Sequence, residues 1–366
     1  MIIISHIFFR PNSDTEFGVA QTIEGENSSK IIEVIEESKI YISTVVNVDP
    51  AYDTVRNECR NHEPLCSFWA TLDECNKNPA YMKLHCAPAC QSCDQLDINV
   101  RCPMDPNEKD VLGPGDLNKL FEHIISDPYY QQYQPSVISR PSHPLHSTEA
   151  ERQVANYTIG PWVLLFDSFL SDEEAENFIR LASVEGYVRS TDVGAKKFDG
   201  TYSDTRSSKR TSENSWCQHE CFEDATTKQV LSRIANLTGI DDTNSEYLQL
   251  LKYEENQFYG VHNDFIPHQV QRQVGPRILT FYMYLNDVED GGGTNFPFVG
   301  TQPEGTTVIP KRGRAVLWPS VLDSDPNTQD SRTNHEAMPV IKGVKYGANA
   351  WIHNRNYKGP NMVGCS

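Results

Sequence analysis

The stretch "LQLLKYEENQFYGVHNDFIPHQV", residues 248–270, begins as a strand-like apolar run and carries His262 and Asp264, an imidazole and a carboxylate two positions apart. On an extended chain, residues i and i+2 point to the same side, so both side chains can reach one point. They are either two ligands of one metal ion or two unrelated polar groups at a strand end. A His-X-Asp pair is common by chance, so the surrounding chain decides between these readings.

Upstream, "GPWVLLFDSFLSDEEAENFIRLA" (160–182) reads as a buried strand followed by a helix. Ser171 and Glu174 form a capping box, and Ala175, Phe178, Ile179 and Ala182 keep helical spacing. A second helix is predicted over 225–240, with Val230, Leu231, Ile234 and Leu237 on one side and Gly239 as its stop. From residue 247 onward come strand-like runs separated by turn formers: "YLQLLKYEE", "RILTFYMYLND", "TTVIPKRGRAVLWP" and "VKYGANAWIHN". Helices first and many short strands after them predict an α+β domain around a sandwich or jelly roll.

A metal needs a third ligand, and "DSRTNHEAMPVIKGVKYGANAWIHN" (330–354) offers His335 just before a strand-like segment. Two imidazoles and one carboxylate on one face of an octahedron hold non-haem Fe(II) and leave three positions open. Lys345, ten positions past His335, is a cation suited to the distal carboxylate of a keto acid chelated on that iron. His268, in the loop-like "IPHQVQRQVGPR", reads as a surface histidine rather than a ligand. Cys217 and Cys221 in "WCQHEC" read as a local disulfide ahead of a metal pair, while Cys102 and Cys365 either pair or stay free.

The chain has 366 residues, 38% of them hydrophobic, and a formal charge of −18, which argues against binding nucleic-acid phosphates. No run approaches the 18 to 20 apolar residues of a membrane span, so a membrane anchor is not evident. The opening "MIIISHIFF" is short and has no basic flank; it reads as the remnant of a signal or anchor at an incomplete N-terminus, or as nothing. Six of the ten cysteines fall between Cys59 and Cys93, and sequons occur at Asn27, Asn156 and Asn236. Together these point to the secretory route, with the endoplasmic reticulum lumen or secretion as the expected destination.

Within 59–93 only Cys90 and Cys93 have knuckle spacing for zinc, so three disulfides are expected, and spacing alone leaves fifteen connectivities open. The order of cysteines, with "FWA", "DEC", "NPAYM" and the closing C-x3-C-x2-C, resembles the ShK toxin-like domain over its whole length. The resemblance implies the pairs Cys59–Cys93, Cys66–Cys86 and Cys75–Cys90. It also implies an appendage that binds another protein, with a toxin role as the sharper alternative.

The catalytic half has its own resemblance. "YEENQFYGVHNDF", "RILTFYMYLNDVEDGGGTNFP", "VIPKRGRAVLWP", "NHEAMPVIKGVKYGANAWIH" and the upstream "RTSENSWC" resemble the catalytic domain of prolyl 4-hydroxylases, over about residues 160–355. The resemblance implies a double-stranded β-helix with N-terminal flanking helices and Fe(II) held by His262, Asp264 and His335. It implies 2-oxoglutarate as co-substrate, its 5-carboxylate on Lys345, with Tyr253, Thr294 and Trp351 lining that pocket, and dependence on ascorbate. Arg277 and His353 would contact the peptide. The implied reaction hydroxylates C4 of a peptidyl proline and yields succinate and CO2; the substrate is a proline-containing, polyproline II-like peptide. "EENQFY" and "VGAKKFDGTYSDTRSS" are candidate groove edges or a lid. One departure is "GGGT" at 291–294, where the family usually has "GGET". The alternatives are a peptidyl hydroxylase of another residue and a non-catalytic secreted binder that works through the ShK-like module.

The chain is thus expected to divide into a poorly defined region 1–58, the module 59–93, a linker with a short helix 94–157, and a catalytic domain 158–358 with its oxygenase core at about 246–354.

Overall fold

Strand Arg277–Tyr284 is buried at every position after Arg277, which requires that both of its faces be covered. In the computed structural model, which describes residues 28–142, 159–300 and 305–366, the period of two along this strand sorts the side chains. Phe281 and Met283 enter one apolar cluster, and Tyr282 and Tyr284 enter another. The same alternation runs through the neighbouring strands. Ala315 and Leu317, Ala348 and Ala350, and Leu250 join the first cluster; Val316 and Trp318, and Leu251 and Tyr253, join the second.

These strands belong to an eight-stranded antiparallel sheet in the order Pro135–Ser139, Val163–Phe166, Ala315–Pro319, Arg277–Tyr284, Lys345–His353, Gln249–Tyr253, Glu213–Trp216, Val188–Arg189. A four-stranded antiparallel sheet orders Thr306–Val308, Thr294–Phe296, His335–Ala337 and Tyr259–His262. Phe296 and Val308 of the smaller sheet pack with Tyr282, Tyr284 and Trp318 of the larger one. The result is the expected jelly roll, a double-stranded β-helix with one apolar cluster between its sheets.

The other face of the large sheet is covered by helices. Asp172–Glu185 starts at the reciprocal Ser171–Glu174 capping box and buries Ala175, Phe178, Leu181 and Ala182. Ala225–Thr238 is capped by the Asp224 side chain, buries Val230, Leu231, Ile234 and Leu237, and ends at Gly239 with φ +67°. The local disulfide Cys217–Cys221 precedes that helix, with its Cα atoms 5.0 Å apart.

Two compact units divide the chain. One runs to Pro103 and adds Val193–Ser203; the other takes Met104–Asp192 and Asp204–Ser366. The stretch read as a linker with a short helix has that helix at Asp116–Ser126, which buries Leu117, Phe121 and Ile124, and also contributes the edge strand Pro135–Ser139. Its proline-rich, polar composition hid a strand at the sheet margin, where proline is tolerated. In the region read as poorly defined, helix Ser28–Tyr41 leads into the core of the cysteine module, where Tyr41, Ile42 and Val46 pack with Cys59, Cys93 and Leu96.

That module has the expected bridges Cys59–Cys93, Cys66–Cys86 and Cys75–Cys90, with Cα separations of 5.4, 5.1 and 5.6 Å. Cys102 and Cys365 are also disulfide-bonded. No helix among the described residues is long and apolar enough to cross a membrane. The sequon at Asn236 lies in helix Ala225–Thr238, and those at Asn27 and Asn156, with the apolar chain start, fall outside the described residues.

Candidate active site

His262 ends one strand of the small sheet, and His335 begins the antiparallel strand beside it, directly opposite. Cross-strand neighbours share a face, so the two rings meet, with centroids 4.3 Å apart. Each ring donates Nδ1–H to a carbonyl two residues back, His262 to Gly260 at 2.9 Å and His335 to Thr333 at 3.0 Å. Both Nε2 atoms then carry the free lone pair, and both face Asp264: His262 Nε2 lies 3.8 Å from Oδ1, and His335 Nε2 lies 3.5 Å from Oδ2.

One ligand atom from each of the three residues lies within 4.8 Å of the others, the only such group of three among the described residues. Thr280, on the large sheet, donates its hydroxyl to Asp264 Oδ2 at 2.6 Å and orients the carboxylate. Burial, with His335 adding, pushes the His262 imidazole down to about 3, so it is a neutral donor at any physiological pH. Burial alone would raise Asp264, but the two histidines, Arg277 and the Thr280 hydroxyl outweigh it and keep the carboxyl below its usual range. Two neutral imidazoles and an ionised carboxylate form a donor set that fits a divalent transition metal.

Lys345 pairs in register with Tyr253 on the large sheet, and both line the same pocket as His262 and His335. Its ammonium is 1% exposed and lies 5.2, 5.3 and 5.6 Å from the ring centres of Tyr253, Tyr282 and Tyr284. Among the described residues no atom accepts a hydrogen bond from its Nζ, and the Tyr282 hydroxyl in the same pocket is likewise unpaired. Desolvation pulls the lysine down to about 7. An unpaired buried cation beside an unpaired phenol fits an entering carboxylate. Thr294 also lines the pocket and accepts the Tyr284 hydroxyl at 2.7 Å.

Three of the predicted residues sit apart from that lining. Arg277 is clamped by Glu246, Nε to Oε1 at 2.5 Å and a second nitrogen to Oε2 at 3.1 Å, and its guanidinium lies 3.8 Å above the Trp351 ring. His353 is wholly buried, with Nε2 2.8 Å from Glu246 Oε1 and Nδ1 2.9 Å from the Gly275 carbonyl. Both of its nitrogens are used inside the protein, so its direct role here is to hold Glu246, and through it Arg277. Burial would raise Glu246, yet Arg277 and His353 prevail and hold it at about 2.

Sequence reasoning passed over Arg210 and Trp318 and placed Tyr259 only on a groove edge; all three line the pocket. Tyr259 stacks on the His262 ring at 3.6 Å, and the Arg210 guanidinium lies 4.5 Å from the Tyr259 ring centre. A signal was available: Tyr259 is three residues before His262, and Arg210 opens the quoted "RTSENSWC".

Comparison with known proteins finds relatives for both parts of the chain. The model of the 2OG-Fe(II) oxygenase superfamily matches residues 248–353, and that of ShK domain-like sequences matches 58–93. Prolyl 4-hydroxylase 5 of Arabidopsis thaliana is 33% identical over 224 residues, 57% of this chain and 74% of that protein. The chain belongs to the prolyl 4-hydroxylase family. Two other family members are similar: probable prolyl 4-hydroxylase 7 of Arabidopsis thaliana, 33% identical over 54% of this chain, and prolyl 4-hydroxylase subunit alpha-2 of Gallus gallus, 32% identical over 53%. The match spans 64% of the former protein and 34% of the latter. A solved viral collagen prolyl hydroxylase from Paramecium Bursaria Chlorella virus-1, in its 2OG complex, is 25% identical with a TM-score of 0.39, covering 52% of this chain and 95% of that one.

Within this prolyl 4-hydroxylase family fold, the departure at "GGGT" has a local cause. A Cβ on Gly293 would lie 2.5 Å from Thr307 Cγ2, so the Thr307 methyl fills the space where a glutamate stem would begin.

Proposed function

We propose that this protein is a peptidyl prolyl 4-hydroxylase, with Fe(II) held by His262, Asp264 and His335 and 2-oxoglutarate anchored by Lys345. The observation that carries the reading is one pocket with two bare imidazole Nε2 atoms at its metal end and an unpaired buried ammonium at the other. When bound, iron would activate O2, the oxidant, and the keto acid would supply two of the four electrons O2 takes up, leaving succinate and CO2; the C–H bond hydroxylated supplies the other two.

The chain's own residues supply the rest. Gly260 and Thr333 fix the imidazole tautomers, and Thr280 fixes the carboxylate. Lys345 meets the distal carboxylate of the keto acid; Tyr253 and Thr294 wall that site. The surrounding rings of Tyr253, Tyr282, Trp318 and Phe296 keep water away from the reacting end. Arg277, fixed by Glu246 and stacked on Trp351, presents a rigid cation toward a peptide, with His353 behind it. A proline-rich segment, already extended before binding, is the substrate class that suits an aromatic-walled site. Ascorbate is the expected reductant that keeps the iron ferrous. Ten disulfide-bonded cysteines place the chain in an oxidising compartment, and the endoplasmic reticulum lumen is the site we infer.

The test is succinate release from 2-oxoglutarate with Fe(II), ascorbate and a proline-repeat peptide, read together with hydroxyproline by mass spectrometry. Succinate formation without peptide hydroxylation would move the activity to another residue. His335→Ala should lose iron retention and turnover together; tight iron and surviving turnover in that variant would refute the ligand assignment.

A further inference from the structure

Tyr282 is buried in strand Arg277–Tyr284, 5% exposed, and packs edge-on to Tyr284 with ring centroids 5.0 Å apart. A buried phenol normally bonds its hydroxyl. This one has no hydrogen-bond partner among the described residues, and the ammonium of Lys345, 5.3 Å from the same ring's centre, has none either. A phenylalanine would fill the same apolar cluster without stranding a polar atom, so packing alone does not account for the hydroxyl. Burial holds its pKa well above the ordinary tyrosine range, so the group stays a neutral O–H donor.

The strand register gives the direction of that donor. Tyr282 stands opposite Asn349, and Gly347 and Lys345 follow on the same face of the neighbouring strand at steps of two. A Cβ on Gly347 would overlap the Tyr282 hydroxyl oxygen and lie 2.5 Å from Cζ. The phenol therefore leans from its own row across the Gly347 position, toward the row of Lys345. Gly347 sits inside a strand and is not one of the positive-φ glycines, so what it supplies is room for this hydroxyl. Tyr282, Lys345 and Asn349 all line the pocket that also holds His262 and His335.

We propose that Tyr282 is a specificity-determining residue of the co-substrate site: its hydroxyl, lodged in the gap left by Gly347, donates a second hydrogen bond to the distal carboxylate that Lys345 meets. A carboxylate accepts from both groups and so satisfies two buried donors at once. A ligand without that far carboxylate leaves both stranded. The pair thus selects a keto acid that carries a carboxylate at its far end. The identity of the ligand rests on the hydroxylase reading; the stranded donor beside the stranded ammonium does not.

Anaerobic calorimetry on the full chain loaded with Mn(II) tests this with Tyr282→Phe and two ligands. One is 2-oxoglutarate; the other is oxalate, which chelates the metal but has no distal carboxylate. The variant should lose about 10- to 100-fold in 2-oxoglutarate affinity, the worth of a hydrogen bond to a charged group, and bind oxalate as the unchanged protein does. An unchanged 2-oxoglutarate affinity overturns the assignment. So does an equal loss for both ligands, which would make the ring a packing element alone. Thermal melting gives an independent sign. Without metal and ligand, Tyr282→Phe should melt no lower than the unchanged protein, because a stranded hydroxyl is gone; with Mn(II) and 2-oxoglutarate it should melt lower. A lower transition in the metal-free state would mean that the hydroxyl is bonded within the protein, and overturns the assignment as well. If the unchanged protein fails to bind 2-oxoglutarate, the hydroxylase reading fails, and this assignment with it.

Discussion

Thr280 on the large sheet and Asp264 in the bend after strand Tyr259–His262, sixteen residues apart, are joined by a 2.6 Å hydrogen bond that aims the carboxylate at the two histidines. Removing the hydroxyl leaves the ligand in place but free to turn. Thr280→Val should therefore weaken Fe(II) or Mn(II) binding by about 10–100-fold, the usual cost of losing a ligand's orienting partner. Calorimetric metal titration under anaerobic conditions measures it. An unchanged affinity would mean that Asp264 is positioned by its backbone alone.

Lys345 couples co-substrate binding to protons. In the free protein its pKa is near 7, and an entering carboxylate favours the ammonium. Above pH 7, then, 2-oxoglutarate binding should take up a proton, and affinity should fall by up to about tenfold per pH unit. Titrations in buffers of different ionisation enthalpy read the uptake directly. Lys345→Met should retain the metal and lose 2-oxoglutarate binding. Below pH 7 it should also melt higher than the unchanged apo-protein, because a buried ammonium is no longer desolvated.

The Glu246–Arg277 pair is buried, so breaking one side leaves a charge without a partner. Glu246→Gln should destabilise the protein by about 3–5 kcal/mol in urea unfolding and raise the peptide KM. The pH dependence has a definite sign. A carboxyl held at about 2 in the folded protein, against an ordinary value of about 4.5, stabilises the fold fully above pH 5. That contribution drains away as pH falls from about 4.5 toward 2. In Glu246→Gln the acid limb of the stability profile should flatten.

Gly347 lies against the Tyr282 ring: a Cβ there would fall 2.1 Å from the hydroxyl oxygen and 2.5 Å from Cζ. The ring is rigid and buried, so Gly347→Ala must push it toward the pocket or deform the strand. A loss of about 1–3 kcal/mol of stability is expected, with weaker 2-oxoglutarate binding. Differential scanning calorimetry and a co-substrate titration on the same sample check both. Wild-type values in both would mean that the ring has free room to swing.

The parts of this molecule that read well from sequence are those governed by local rules. The Ser171–Glu174 box and the Gly239 stop fix two helix ends by their own chemistry, and the two-residue step from His262 to Asp264 places both on one side. The pairing of His262 with His335 depends on sheet register across more than seventy residues, which no local pattern specifies. His353 was assigned by motif position to the peptide, whereas its strand sets it at a depth where Glu246 and Gly275 take both nitrogens. The edge strand Pro135–Ser139 was lost for the opposite reason: its five residues are too few, and too polar, to stand out from a loop.

The close approach of Gly293 and Thr307 limits what position 293 can hold. Thr307 is held in its rotamer by Asn295, so it does not simply swing aside. A glutamate fits at 293 only in company with a smaller neighbour at 307, so the two positions are sterically coupled. Grafting the acidic residue alone would force Thr307 to move, whereas the double exchange relieves the clash.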